Sequence, residues 1–256
     1  MKKYFKPLEE INQKGTTTIM FSWLILLLIF WVGCSFGETH LFPTPTQVFA
    51  GFQQLWLDGL VVHIVSSLAL CAMAVAISIC IALTLAYSSS IAFFKPVGMF
   101  ISKLRYLPLT GISFYIALLV QDARNIQVWV LVVFMTTFLT TSLMQMIKDI
   151  PAEEFDHART LGCNRWQCLL EVVIKGRIDY VIELVRQNLA IVWVMIVTVE
   201  SILIAAGGLG TLIKNGDKVG DNGRVIALQI LIIMIGLGID WSLTKIRKLT
   251  FRYSNF

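Results

Sequence analysis

The residues of this chain that could do chemistry are few and scattered. His40, His63 and His157 fall in three separate stretches, which excludes a metal site shared between them. The five cysteines, Cys34, Cys71, Cys80, Cys163 and Cys168, are odd in number, include no Cys-x-x-Cys pair and lie mostly in apolar runs. They read as small apolar residues, not as a disulfide or metal set. The phosphate-loop pattern Gly-x-x-x-x-Gly-Lys is missing, so this chain does not hydrolyse ATP. No nucleophile and base can be paired at matching depth in the apolar runs, and the chain reads as non-enzymatic, with no catalytic residues, metal or cofactor. One carboxylate stands out. Glu200 lies within the apolar run 189–206, where a charge costs several kcal/mol and marks a group facing protein or water. Two roles fit it: a structural hydrogen bond to Ser201 or a neighbouring helix, and a place on a polar path through the bilayer. His63, at the outer start of its run, suits an interfacial position better than a ligand's, and Asp240 can pair with Lys245 or Arg247 at the end of the last run.

The elements that hold these residues are apolar. Of 256 residues, 57% are apolar and 14% charged, and the mean hydropathy is +0.76. An average soluble domain carries about 25% charge, so a water-soluble single domain is excluded. Crossing a bilayer of about 30 Å takes roughly 20 apolar residues. Six runs are read as spans, at 19–36, 61–87, 106–120, 128–147, 189–206 and 225–241, the third below the usual length and kept because the asymmetry of charge between the two sides depends on it. The third is the shortest, with Lys103, Arg105 and Pro108 crowding its start. Lys2, Lys3, Lys6 and Lys14 precede the first run as in a signal peptide, but Cys34-Ser35-Phe36 supplies no small-x-small cleavage site, so the run is kept as a span. The fold expected is all-α and integral to the membrane, with an amino-terminal segment 1–18, a six-span domain 19–245 and a tail 246–256. With the amino terminus inside, 17 of the 21 Lys and Arg residues fall on inner segments, and only Arg124, Lys214, Lys218 and Arg224 fall outside. That asymmetry predicts two cytosolic termini. It also explains the net charge of +5 better than nucleic acid does. After the first span, Phe42-Pro43-Thr44-Pro45 leads into Val48, Phe49, Phe52, Leu55 and Trp56 at helical spacing, which suits an interfacial helix and an ordinary structured loop equally.

The most polar stretch between spans is 149–178. Pro151 suits a first helical position, Glu153 and Glu154 suit the first turn, and Gly162 suits a left-handed helix end. Asn164 with Gln167 forms a capping box for a second helix, on which Trp166, Leu169, Leu170 and Val173 make an apolar stripe; Phe155, Ala158 and Leu161 make one on the first. A DNA-reading helix pair is excluded, since the first helix is acidic and the unit is clamped between spans. A helical hairpin on the cytosolic side of a bundle is suited to receive force from a soluble partner.

These residues resemble a known family. Asp156-His157-Ala158, Gly162 and Val172-Val173-Ile174 are similar to the EAA motif of the inner-membrane permease subunits of bacterial ATP-binding-cassette (ABC) importers. The family pattern is Glu-Ala-Ala, three residues, Gly, nine residues, Ile, one residue, Leu-Pro. Here Asp156 stands for the Glu, His157 for the first Ala and Ile174-Lys175 for Leu-Pro, so Ala158 and Gly162 are the core letters that match. The stretch 158–167 resembles the nitrate, sulfonate and taurine branch. So do Ser66-Ser67-Leu68, Trp193, Glu200, Gly208-Leu209-Gly210-Thr211 and Gly238-Ile239-Asp240. The likeness covers roughly residues 40–250. It implies a bacterial inner-membrane location and a coupling hairpin in which Glu153, Glu154, Asp156, His157, Ala158 and Gly162 contact the ATPase. It also implies a homodimer with cytosolic ATPase subunits and an extracytoplasmic solute-binding protein. The solute would be a small anion such as a sulfonate, taurine or nitrate, or else a heterocyclic vitamin precursor. The rival from another class is a secondary transporter or channel without an ATPase.

Overall fold

The computed structural model describes residues 13–35 and 42–250; His40 and the charges Lys2, Lys3, Lys6 and Arg252 lie outside them. Every regular element among the described residues is helical. In order they are α1 (Gln13–Ser35), α2 (Pro45–Leu57), α3 (Leu60–Ser88), α4 (Lys95–Lys103), α5 (Leu109–Leu119), α6 (Ala123–Lys148), α7 (Ala152–Thr160), α8 (Arg165–Cys168), α9 (Ile178–Ile202), α10 (Leu209–Val219) and α11 (Asn222–Thr250). Five described helical stretches are long and apolar enough to cross a membrane: Gly15–Ser35, Leu60–Ser88, Ala123–Lys148, Arg165–Ile202 and Asn222–Leu249.

The centre of the bundle is α6, whose Val130, Leu131, Met135, Leu139 and Leu143 are fully buried. Against it α3 turns a stripe of small residues, Ser67, Cys71, Ala74, Ser78, Ala82 and Ala86, spaced three or four apart along one face. Small side chains let the two backbones approach, so that dispersion contacts and the bond from Ser78 Oγ to the Val132 carbonyl at 3.3 Å can form. Arg124 meets Ser66 at one end of this pair, and at the other Gly98, on α4, lies against both Ser89, which follows α3, and Met144. The two helices are therefore parallel. Helix α9 runs antiparallel to α6, with Asn188 near Ser142 and Leu203 near Gln127. Helix α11 runs antiparallel to α9, with the Trp193 indole N–H donating to the Ile232 carbonyl at 3.0 Å. By contrast α1 exposes Met20 to Phe30 on every side, as a helix facing lipid would.

Parallel packing of α3 and α6 obliges the chain to travel the length of the bundle between residues 88 and 123. The third apolar run does this differently from an ordinary span. Its helix, α5, has 11 residues, about 16 Å at 1.5 Å per residue, which is short of a bilayer. Pro108 is the cause. It holds Leu107 extended at φ −70° and ψ 133° and interrupts the helix, so the passage is shared between α4, a 3-10 turn at Leu104–Tyr106 and α5. After the first described span, α2 begins at the Thr44 capping box. It buries Val48, Gly51 and Leu55, lies against the start of α11 and leaves Phe49 and Trp56 exposed.

Candidate functional site

Two polar constructions occupy opposite ends of the bundle. At one end projects the hairpin. Pro151 is the residue before α7, not its first, and α7 carries Glu153 and Glu154 in its first turn. Helix α7 closes in a complete Schellman motif: the Gly162 N–H donates to the Arg159 carbonyl at 2.9 Å and the Cys163 N–H to the Ala158 carbonyl at 3.1 Å. Gly162 takes φ +86°, with open space where a Cβ would stand. The capping box also forms, with Gln167 N–H to Asn164 Oδ1 at 2.9 Å and Asn164 N–H to Gln167 Oε1 at 2.8 Å. The regular second helix expected from the sequence does not follow. Helix α8 has 4 residues and passes into a π-helical turn, Leu169–Ile174, and a 3-10 turn, Lys175–Arg177, before α9 begins. Ala158 is buried, whereas Glu153, Glu154, Asp156 and His157 are exposed. So are Leu161 and Trp166, at 73% and 65%. Asp156 pairs with Arg159 at 3.0 Å. Glu154, also exposed, pairs with Arg177 at 2.5 Å, a partner the sequence did not suggest.

The hairpin end also holds an ion cluster between α9 and α11. Glu183 accepts from Arg186 at 2.6 Å and from Arg247 at 2.6 Å, and Arg186 reaches Asp240. Asp240 thus pairs across to α9, not with Lys245 or Arg247 on its own helix; Lys245 instead lies over the Trp241 ring, 5.0 Å from its centroid.

At the opposite end Glu200 is completely buried. The Ser67 hydroxyl, on α3, donates to its carboxylate at 2.7 and 2.9 Å, and the Gly210 N–H donates at 3.0 Å. Next to it, the Leu209 N–H donates to Ser67 Oγ at 3.0 Å and the Gly208 N–H to His63 Nδ1 at 3.2 Å. These three donors are N–H groups that the first turn of α10 leaves without helical partners. Glu200, Ser67 and His63 therefore cap α10 from two other helices, with the carboxylate where the helix dipole favours an anion. Ser201, the expected partner of Glu200, instead donates to the Val197 and Gly210 carbonyls. Glycine is required here. At Gly208, with φ +118°, a Cβ would stand 2.1 Å from the Glu200 carboxyl carbon; at Gly210 it would stand 2.1 Å from the Val197 carbonyl oxygen. Arg124 extends the network, donating to the Ser66 carbonyl at 2.5 Å and to Gln127 at 3.2 Å, and Gln127 donates to the Leu203 carbonyl at 3.0 Å. Glu200 and His63 thus meet in one construction, while His157 lies at the far end. Ser67, Arg124 and Gln127 were missed as a site; the signal for Ser67 was a pair of hydroxyls, Ser66-Ser67, within an otherwise apolar run.

No protein-family model matches the chain. Over 100 residues it is 31% identical to a putative ABC transporter permease protein of Methanocaldococcus jannaschii, a match covering 39% of this chain and 38% of that protein's length. In fold it is similar to the MetNI methionine ABC transporter in inward-facing conformations, with a TM-score of 0.66, 16% identity and coverage of 77% of this chain and 97% of that one. It is also similar to an amino acid ABC transporter crystallised with histidines, with a TM-score of 0.59, 18% identity and coverage of 80% and 97%. In fold the chain is thus similar to these ABC transporter structures, and over 100 residues its sequence is similar to a putative ABC transporter permease.

Proposed function

We propose that this chain is the permease subunit of an ABC importer of the bacterial cytoplasmic membrane. It works as a homodimer with two cytosolic ATPases and an extracytoplasmic solute-binding protein. The observation that carries this reading is the hairpin. A helix closed by a Schellman motif and braced by a capping box projects polar and apolar side chains together from one end of a permease-type bundle. The excess of Lys and Arg at that end gives it to the cytosol.

In this reading Glu153, Asp156, His157, Leu161 and Trp166 form the docking face, and the turn at Gly162 sets the angle between α7 and α8. The chain itself has no catalytic role; the ATPases supply the energy and the bundle supplies the path. Closure of the ATPase pair pushes the hairpin, which lies directly before α9. Helix α9 is tied to α11 by the Glu183–Arg186–Asp240–Arg247 cluster. At the far end it is tied to α3 by Glu200 and Ser67. A push at the hairpin therefore moves a connected set of helices, which opens one side of the bundle as the other closes. Glu200 and His63 act structurally here, fixing the turn before α10. Among solutes, the motif resemblance favours a small anion of the sulfonate, taurine or nitrate kind.

The test is purification of the tagged chain from its native membrane. An ATPase should co-purify, and the complex in lipid should hydrolyse ATP. Uptake of radiolabelled taurine or nitrate into liposomes by the chain alone, without any ATPase, would overturn the proposal in favour of a secondary transporter.

A further inference from the structure

The segment that joins the hairpin to α9 is poorly made for transmitting force. Between Cys168 and Ile178 the helix changes its winding, through a π-helical turn and then a 3-10 turn, so the i→i−4 bonds of an α-helix are interrupted there. Arg177, the last residue of the 3-10 turn, has φ −124° and ψ 16°, outside the helical region. At the other root of the hairpin, Asp149 to Pro151 is not helical. At the root of the hairpin a cavity of about 850 Å³ opens to the surface; its lining includes Arg105, Gln145, Asp149, Glu154, Arg177 and Tyr180. The hairpin buries Ala158, Cys168 and Val173, while Glu154 and Arg177 lie along the cavity.

Helix α7 packs on the π-helical turn, and one ion pair among the described residues ties it to the foot of α9. Arg177 Nη2 donates to Glu154 Oε1 at 2.5 Å, joining residues 23 positions apart in the chain and linking the first turn of α7 to the foot of α9. The Arg177 side chain is only 17% exposed, and its guanidinium lies over the Tyr180 ring on α9, 5.4 Å from the centroid. One nitrogen of the guanidinium thus meets Glu154 and its flat face meets a ring, while the buried Nε has no hydrogen-bond partner among the described residues; a lysine would not reproduce the flat contact.

Resting on the importer reading above, we propose that Glu154 and Arg177 form a clasp that transmits movement of the hairpin to α9, and that Glu154 is a positioning residue and not an ATPase contact. With the clasp closed, α7 and α9 move as one body across the irregular joint. With it open, the π and 3-10 turns and the cavity absorb the displacement, and ATP is hydrolysed without movement at the far end of the bundle.

The experiment uses the whole complex with its co-purified ATPase in nanodiscs, the native cysteines replaced by serine and a bimane label on Val219→Cys, which is exposed at the end of α10. Mg-ATP with vanadate should shift the bimane emission of the wild-type complex. Glu154→Gln and Arg177→Gln should keep the ATPase bound and hydrolysing, yet reduce the emission shift about fivefold or more, the usual scale of coupling between distant sites. The exchange Glu154→Arg with Arg177→Glu should restore it. If the single variants do not insert, the double variant Glu154→Ala, Arg177→Ala, which strands no charge, takes their place. A normal shift in the single or double variants, or no recovery in the exchange, overturns the clasp. ATPase loss from Glu154→Gln but not from Arg177→Gln also overturns it, by making Glu154 a docking residue. A wild-type chain that brings down no ATPase sinks the importer reading itself and the clasp with it.

Discussion

Replacing Gly208 by alanine tests the cradle around Glu200, because the structure sets two separate penalties for it. The first is backbone strain. Gly208 sits at φ 118° and ψ 178°, a region open essentially to glycine alone, at a cost of about 1–3 kcal/mol for another residue. The second is a collision. The new Cβ would stand 2.1 Å from the Glu200 carboxyl carbon, where ordinary contact begins at 3.4 Å. The carboxylate must then retreat by more than 1 Å. It gives up its bonds from Ser67 at 2.7 Å and Gly210 at 3.0 Å, each worth about 1.5–3 kcal/mol when the acceptor is charged. The total is roughly 4–9 kcal/mol. In a Glu200→Ala background the collision disappears and only the strain remains. At about 2–4 °C per kcal/mol for a chain of this length, Gly208→Ala should lower the melting midpoint by about 20 °C in wild type and by about 5 °C beside Glu200→Ala. The assay is gel filtration of the detergent-solubilised protein after graded heating. Equal shifts in the two backgrounds would refute the packing of Gly208 on this carboxylate.

Glu200→Gln should keep the membrane level and the ATP hydrolysis of the complex near wild type, since an amide can still accept from Gly210 and bond Ser67; loss of transport at normal membrane level would move Glu200 onto the solute path. Gly162→Val should cost about 1–2 kcal/mol through its left-handed backbone, with no collision inside the chain. It and Asp156→Lys should leave the permease inserted while weakening ATPase co-purification and abolishing stimulated hydrolysis, and full association in both would refute the docking face. Reporter fusions at Phe256 and Asn222 should lie on opposite sides of the membrane, and a shared side would end the two-cytosolic-termini topology.

The hairpin was legible because its signals are local. Gly162 closes a helix and Asn164 opens the next through bonds to residues three to five positions away, and a sequence carries such spacings openly. The second helix was read too regularly. Its apolar stripe at Trp166, Leu169, Leu170 and Val173 says which face is buried, but it does not distinguish an α-helical turn from the π turn that follows Cys168. In the sequence Pro108 crowds the start of the third run, and the extended Leu107 before it makes that start a break between two short helices.

By itself the sequence determined the membrane class, the helical content, the end of the bundle that carries the positive charge and the cost of a carboxylate at position 200, because each follows from composition or from contacts within a helical turn. Only the tertiary structure decided how that cost is met. Glu200 finds Ser67, 133 positions away, and Asp240 finds Arg186, 54 positions away. The passage between the parallel α3 and α6 is divided among three short elements. These pairings depend on which helix faces lie together and in which direction each runs. Helix crossing sets that geometry, and no spacing along the chain encodes it.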